Sequence, residues 1–368
     1  MARPYVSIDL AKIEENARAI VGLCRQHGIT VTGVTKGTCG HPEVARAMLR
    51  GGVTSIGESR LENIHRLQTA GIRATMLLLR VPPLSEVDDV VASVDLSLNS
   101  ELVVLKALAD AAHRRGKVHE VILMVDLGDL REGIWPDDLI SFVREALTLT
   151  GIQIVGLGTN LTCFAGVVPS EENMHRLVDS AHLLEDTFGL RLRWISGANS
   201  SGLELIAAGR MPKRVNHARI GEAILLGRET VQRRPWPGTW QDAFLLHAEV
   251  IELKEKPSTP IGTRSEDAFG HRPAFENRGE VERALLNIGR EDVAIEGLTP
   301  LDSRFRVLGG SSDYLVLDVG GTADALRVGD IVTFSLNYSA LLAVMTSQYV
   351  EKRTLHGLNR KLSAQKDS

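Results

Sequence analysis

From residue 29 to residue 227, short apolar runs alternate with longer amphipathic segments, and this alternation limits the folds open to the chain. "ITVTGVTKG" precedes "HPEVARAMLRGG", "VTSIGES" precedes "RLENIHRLQTAG", and "ATMLLLRV" precedes "LSEVDDVVAS". "SVDLSLNS", "HEVILMVDLGD", "IQIVGLGTNLTC" and "RWISGANS" each lead into a segment of the same kind, and "HARIGEAILLG" closes the series. Apolar strands bracketed by amphipathic helices make a parallel sheet covered on both faces. Eight such β-then-α units predict an α/β fold, a (β/α)8 barrel with its chemistry at the C-terminal strand ends. The runner-up is an open doubly wound sheet. The lack of a G-x-G-x-x-G turn after the first strand disfavours it.

The pattern changes after residue 230. "RRPWPGTW" is a break rich in Pro, Gly and Trp. Then come "AFLLHAEVIELKEKP", "RALLNIG", "FRVLGG", "DYLVLDV", "GDIVTFSLN" and "LLAVMTS", which read as turn-separated strands with almost no helical period. The expected division is a barrel over 1–230, an all-β domain over 231–355 and a frayed, disordered polar tail over 356–368.

The chain has a net charge of −4 and 43% hydrophobic residues, which gives no bias toward nucleic acid or an anionic membrane. Cys24, Cys39 and Cys163 are too few for a disulfide framework and follow no metal-ligand spacing. A reducing, cytoplasmic setting fits, and no metal is expected. The N-terminal stretch has no signal-peptide h-region, and no apolar run is long enough to span a membrane.

Four places can carry chemistry. Lys36 follows the first barrel strand and precedes the small-residue loop "GTCG", with no acidic residue in the strand before it. A lysine in such a pocket can form a Schiff base, for which pyridoxal 5'-phosphate (PLP) is the common partner. A surface lysine is the bland alternative. "SGANSSGLELI" offers Ser200, Ser201 and backbone N–H groups at a helix start, suited to a phosphate or to plain capping. Arg219 lies in the apolar stretch "NHARIGEAILLG", where it can meet a ring nitrogen, an anion or an ion-pair partner on a neighbouring strand, and Gly221 permits close backbone approach. Arg131 in "VDLGDLREG" can clamp a carboxylate or simply be solvated. A lysine after strand one, a phosphate-like loop after strand seven and an arginine on strand eight all point to one barrel mouth.

The stretches "VTGVTKGTCGHPEVARAMLRGGV", "GESRLENI", "GLGTNLTCFAGVVPSEEN", "ISGANSSGLELI", "RIGEAILLG", "DAFGHRPAFENRG", "LGGSSDYLVLDV" and "LNYSALLAVMTS" resemble the alanine racemase-like PLP enzymes, in particular their ornithine racemase-like branch. The resemblance implies a PLP-binding barrel followed by a β-domain, and a homodimer with shared sites. Lys36 matches the lysine that holds PLP. Asn199 and Ser200 match the pair at its phosphate, Gly221 and Glu222 match backbone amides there, and Arg219 matches the arginine facing the pyridine nitrogen. Arg131 matches an arginine near the substrate. Ser312 and Asp313 match a loop that a partner subunit brings to the substrate carboxylate. Asn160 stands where alanine racemases have a histidine, Gly40 where they have a phosphate-binding tyrosine, and Phe269 where they have the tyrosine that serves as second acid/base. The replacement donor is then Cys163, Asp267 or Tyr338, or Lys36 acts alone on both faces.

The leading expectation is a PLP-dependent racemase of a free amino acid, with ornithine, lysine and alanine as first substrates. A PLP-dependent lyase on the same scaffold (aldolase, dehydratase or decarboxylase) is the second, disfavoured by the lack of a paired His–Cys cluster in residues 231–355. A non-catalytic PLP-carrying protein is the third, and the added β-domain speaks against it.

Overall fold

The computed structural model describes residues 3–320 and 326–355, so the tail expected to be disordered lies outside the described residues. The chain divides into two compact units, Leu10–Gln241 and a second made of the residues up to Asp9 with those from Asp242 on. In chain order the first strand is β1 (Tyr5–Asp9), followed by helix α1 (Leu10–Gln26). The barrel strands are β2 (Thr30–Val34), β3 (Ser55–Glu58), β4 (Thr75–Leu78), β5 (Leu96–Asn99), β6 (His119–Met124), β7 (Ile152–Gly158), β8 (Trp194–Ala198) and β9 (His217–Ile220). Their helices are α2 (Pro42–Arg50), α3 (Leu61–Thr69), α4 (Val87–Ser93), α5 (Leu102–Arg114), α6 (Leu139–Ala146), α7 (Glu171–Phe188), α8 (Leu203–Ala207) and α9 (Glu222–Leu226).

β2 to β9 pair in parallel and close into a barrel, as the eight β-then-α units predicted. β4 to β7 contribute a buried apolar cluster of Leu77, Leu96, Leu98, Ile122, Met124 and Val155, the kind of branched packing that fills such a sheet. Strands β8, β9, β2 and β3 instead carry buried polar residues, among them Ser196, His217, Arg219 and Thr32.

The domain boundaries differ from those expected. β1 pairs antiparallel with β10 (Phe244–Pro257) and parallel with β16 (Glu351–Leu355), so the N-terminal strand belongs to the β unit. The segment after residue 230 stays with the barrel, because Asn16 of α1 binds both backbone atoms of Trp240, accepting from its N–H at 2.6 Å and donating to its carbonyl at 2.9 Å. The β unit also holds β11 (Glu280–Leu286), β12 (Leu298–Pro300), β13 (Arg306–Gly310), β14 (Leu315–Asp318) and β15 (Ile331–Leu336), in the sheet order β12-β15-β10-β11-β14-β13. β10 pairs first with β15 and then, past a bulge at Val250–Glu252, with β11.

The unit is not all-β. "LLAVMTS", expected as a strand, lies in helix α10 (Tyr338–Thr346). A short apolar run has no period that separates strand from helix. Here the cap decides: Asn337 Oδ1 accepts from Ala340 N–H at 2.9 Å, and Ala340, Leu341, Val344 and Met345 then fall on one buried face. Asn337→Ala removes that cap. The expected loss is about 1 kcal/mol of stability, read as a drop of a few degrees in thermal midpoint.

Candidate active site

β2 ends at Val34, and Lys36 opens a single 3-10 turn, Lys36–Thr38, just beyond it. Thr35 ties that turn to the neighbouring strand. Its N–H donates to Gly57 O at 3.1 Å and its hydroxyl to Glu58 Oε1 at 2.8 Å. Glu58, the last residue of β3, is fully buried and also accepts from Ser59 N–H (3.1 Å) and Asn63 Nδ2 (3.0 Å). Burial pushes its carboxyl up, against the pull of these hydrogen bonds and of the Lys36 charge.

β9 flanks β2 on its other side, with Arg219 in register with Thr32. The buried Arg219 guanidinium is not an ion-pair partner. It donates to Ser196 O at 2.9 Å, to Ser196 Oγ, and to Thr159 O at 2.7 Å, all neutral oxygens. Burial lowers it to about 10. His217 bridges Ser196 Oγ and Thr32 Oγ1, each at 2.7 Å, and Thr32 Oγ1 meets Ser55 Oγ at 2.6 Å. Burial, and then the Arg219 charge, push His217 down to about 3, so the imidazole is neutral.

After β8, Asn199 Oδ1 caps the Ser200–Gly202 turn by accepting from Ser201 N–H at 2.7 Å. Ser200 Oγ accepts from Ala223 N–H at 3.1 Å, which joins this turn to the start of α9. A Cβ at Gly221 would lie 3.0 Å from Val34 O, a tight contact, so glycine lets the end of β9 rest closely against β2. The Glu222 side chain pairs with Arg233, and burial raises its carboxyl.

The loop after β6 carries Arg131, which Glu132 grips with both carboxylate oxygens. Asp129, buried in the same loop, accepts from the N–H groups of Thr162 (3.1 Å), Phe164 (3.0 Å) and Val167 (3.2 Å) and so fixes the loop that bears Cys163. Asn199 Nδ2 donates to Leu161 O at 2.9 Å and approaches Cys163 Sγ at 3.9 Å. The charges of Glu132 and Arg131 both act on Arg219, which brings the loop after β6 to the same rim. Thr159 Oγ1 and Asn160 Nδ2 are buried there with no hydrogen-bond partner. Buried polar atoms of this kind call for a ligand or water.

The remaining expected residues lie in the β unit. Asp267 is turned on its own exposed loop, where it accepts from Phe269 N–H and His271 N–H, each at 2.9 Å, and these bonds hold its carboxyl below the usual range. The Phe269 ring lies under Arg290, 5.1 Å from the guanidinium. Ser312 donates to Asp313 at 2.9 Å in the turn between β13 and β14, and Tyr338 opens α10. Sequence reasoning passed over Glu58, Asp129, Glu132, Ser196 and His217. The one local signal for the last was its alternation with Arg219 in "HARI", which puts both on one face of a strand.

The alanine racemase N-terminal domain family matches residues 8–229. An ornithine racemase from Acetoanaerobium sticklandii is 43% identical over 353 residues, spanning 96% of this chain and 99% of the relative. A lysine racemase from Thermotoga maritima is 40% identical, spanning 96% and 98%. The chain belongs to the alanine racemase family.

Among solved structures, the alanine racemase from D-cycloserine-producing Streptomyces lavendulae shares the fold with this family member at a TM-score of 0.75 and 20% identity, covering 97% of this chain and 98% of that one. The alanine racemase from Bartonella henselae, solved with covalently bound pyridoxal phosphate, gives 0.73 at 17% identity, covering 96% and 100%. Gly40 was expected, from the resemblance, to stand where alanine racemases have a tyrosine, and its geometry here leaves no room for one. Gly40 has φ +60°, and a Cβ there would lie 2.8 Å from Asn63 Cβ, so a tyrosine does not fit.

A pH dependence follows from the buried imidazoles. His217 is held at about 3 and His119 at about 4 by burial, against an ordinary 6.5. Below about 6.5 the unfolded chain binds protons that the fold refuses, so stability is full above that pH and declines as pH falls toward 4. The thermal midpoint should drop between pH 6.5 and 5, and His217→Gln should flatten that slope. A level midpoint across this window would contradict the neutral imidazoles.

Proposed function

We propose that this chain is a PLP-dependent racemase of a free amino acid, with ornithine and lysine the first substrates to try and alanine the third. The observation that carries the reading is Lys36 placed beside a strand whose buried Arg219 has only neutral oxygen partners. A cation facing a pyridine nitrogen does not protonate it readily. That keeps the ring a weak electron sink, which suits proton exchange better than bond cleavage. The relatives that are racemases of ornithine and lysine support the same choice.

The rim fits PLP by the chemistry of its donors. Ser200, with the amides of Gly221 and Glu222, would take the phosphate, Lys36 Nζ the carbon end and Arg219 the ring nitrogen. The unpartnered Asn160 Nδ2 and Thr159 Oγ1 face the need for a polar ligand. When bound, PLP draws electrons from the substrate's α-carbon. Lys36 removes or returns the α-proton on one face. On the other face we assign the proton to Cys163 rather than Asp267, whose carboxylate is held ionised by its own loop. Arg131, steadied by Glu132, presents its guanidinium to the substrate end of the site. Ser312 and Asp313 of the partner subunit would complete the carboxylate pocket in a homodimer. The cysteines are free, and no helix of the described residues is long and apolar enough to cross a membrane. A cytoplasmic enzyme without nucleic-acid or membrane partners fits these features.

The test is proton NMR of L-ornithine with the purified chain and PLP in deuterated water, with chiral chromatography of the same tube. Loss of the α-proton signal with a rising D-enantiomer is expected, and Lys36→Ala should abolish both this and the visible absorption of bound PLP. An unchanged α-proton signal with ornithine, lysine and alanine alike would refute the racemase reading and favour the lyase. Cys163→Ala should uncouple the two readouts: α-proton exchange persists for the enantiomer that Lys36 deprotonates, while inversion falls on the order of 100-fold. Inversion at the unaltered rate would remove Cys163 from the mechanism.

A further inference from the structure

Of the two unpartnered atoms just beyond β7, Asn160 Nδ2 belongs to an amide whose orientation is fixed from outside. Thr159 N–H donates to Ser196 O at 3.1 Å, so pairing with β8 holds up to the residue before Asn160. Thr159 O accepts from Arg219 at 2.7 Å, which sets Asn160 one residue from a contact of the buried guanidinium.

The oxygen and nitrogen of an amide side chain are told apart by what they meet. For Asn199 both ends meet backbone. Its Oδ1 accepts from Ser201 N–H at 2.7 Å, a group that can only donate. Its Nδ2 donates to Leu161 O at 2.9 Å, a group that can only accept. Turned over, this amide would set donor against donor at one end and acceptor against acceptor at the other. Asn199 Nδ2 is also the atom that faces Asn160, 3.4 Å from Oδ1. That settles the second amide in turn. Asn160 directs its acceptor to Asn199 and keeps its donor, Nδ2, for something else. A buried donor without an acceptor is costly and calls for a ligand or water.

We propose that Asn160 is a ligand-binding residue of fixed polarity: through Asn199, the Ser201 turn orients it to present an N–H donor to an anionic oxygen of the bound ligand. The ligand's identity rests on the racemase reading, which supplies two such oxygens, the phenolate of PLP and the carboxylate of the amino acid. An ammonium would meet a second donor at this position and is excluded. The relay also gives Asn199 a task inside the chain. Both ends of its amide are committed, so its side chain serves the site by aiming Asn160.

The test compares Asn160→Ala, which deletes the donor, with Asn160→Asp, which keeps the shape and the bond to Asn199 but turns a carboxylate oxygen to the ligand. Two dissociation constants are read at pH 8 in the full chain. One is that of PLP, from its visible band without amino acid. The other is that of L-ornithine, from the change it makes in the band of the loaded chain. Both substitutions should weaken one of these constants about ten-fold or more, and Asn160→Asp should weaken it further than Asn160→Ala. A weaker hold on PLP identifies the phenolate as the partner. An unchanged hold on PLP with a weaker hold on ornithine identifies the carboxylate. A residue that only supported its loop would give the opposite order, because Asp preserves the packing and Ala does not, so that order overturns the proposal. Should Asn160→Asp fail to fold, the constants of Asn160→Ala decide. Two constants equal to the parent's in the folded variants would mean that water alone meets Nδ2, and would overturn it as well. Failure of the racemase reading would look different: the parent itself would show no α-proton exchange, whereas failure of this proposal leaves the parent inverting its substrate and the variants binding as it does.

Discussion

The site depends on the pairing of the first barrel strand with the last. β2 hydrogen-bonds to β9 from Thr30 opposite His217 to Gly33 opposite Ile220, and this brings together residues 185 apart in sequence, such as Thr32 and His217. Closure sets Lys36, at the exit of β2, between Glu58 at the exit of β3 and the Gly221–Glu222 turn at the exit of β9. Gly221 lies close against Val34, where a Cβ would crowd the Val34 carbonyl. An open sheet would leave β2 and β9 at opposite edges or with other neighbours, and Lys36, Arg219 and the Gly221–Glu222 turn would not share a rim.

The polar side of the barrel wall is the second constraint. Ser55, Thr32, His217, Ser196 and Arg219 form a hydrogen-bonded chain across β3, β2, β9 and β8. Each of these groups is buried or nearly so, and an unmade bond would cost about 1–3 kcal/mol. Burial, and then the charge of Arg219 beside it, keeps the His217 imidazole neutral, so the histidine can accept at one nitrogen and donate at the other. Ser196 Oγ accepts from Arg219 and is free to give its own proton to His217 Nδ1. The chain satisfies the guanidinium with neutral oxygens, and that is why Arg219 can stay buried and charged.

Phe269 and Cys163 both lie on loops, the first in the β unit and the second in the barrel unit. Phenylalanine at 269 cannot carry a proton, and its ring is taken up by Arg290. Cys163 instead rides on a loop whose backbone is gathered by the buried Asp129, with Asn199 reaching across from the turn after β8. A lone cysteine on an exposed loop says little by itself. Here the flanking residues Thr162, Phe164 and Val167 tie its loop to one buried carboxylate, which fixes where the cysteine sits.

The eight-fold alternation, read without any structure, is enough to specify the barrel, because strand and helix periods are local and each unit announces itself within about twenty residues. The placement of Lys36, Arg219 and Ser200 at strand exits was legible for the same reason. The membership of β1 in the β unit was not, since a single strand carries no mark of which sheet it joins. The helix at 338–346 was not legible either, because a short apolar run has no period and only the Asn337 cap decides it. Glu58, Asp129 and His217 looked in sequence like ordinary polar residues of strands and loops. Their roles come from burial and from partners on other strands, 23 residues away for Thr35 and Glu58 and 35 for Asp129 and Phe164. The sequence by itself determined the periodic elements and the residue types available at their ends. Only the closed tertiary structure decided which of those residues are dry and which touch, because desolvation and short-range contact exist only once the chain has folded.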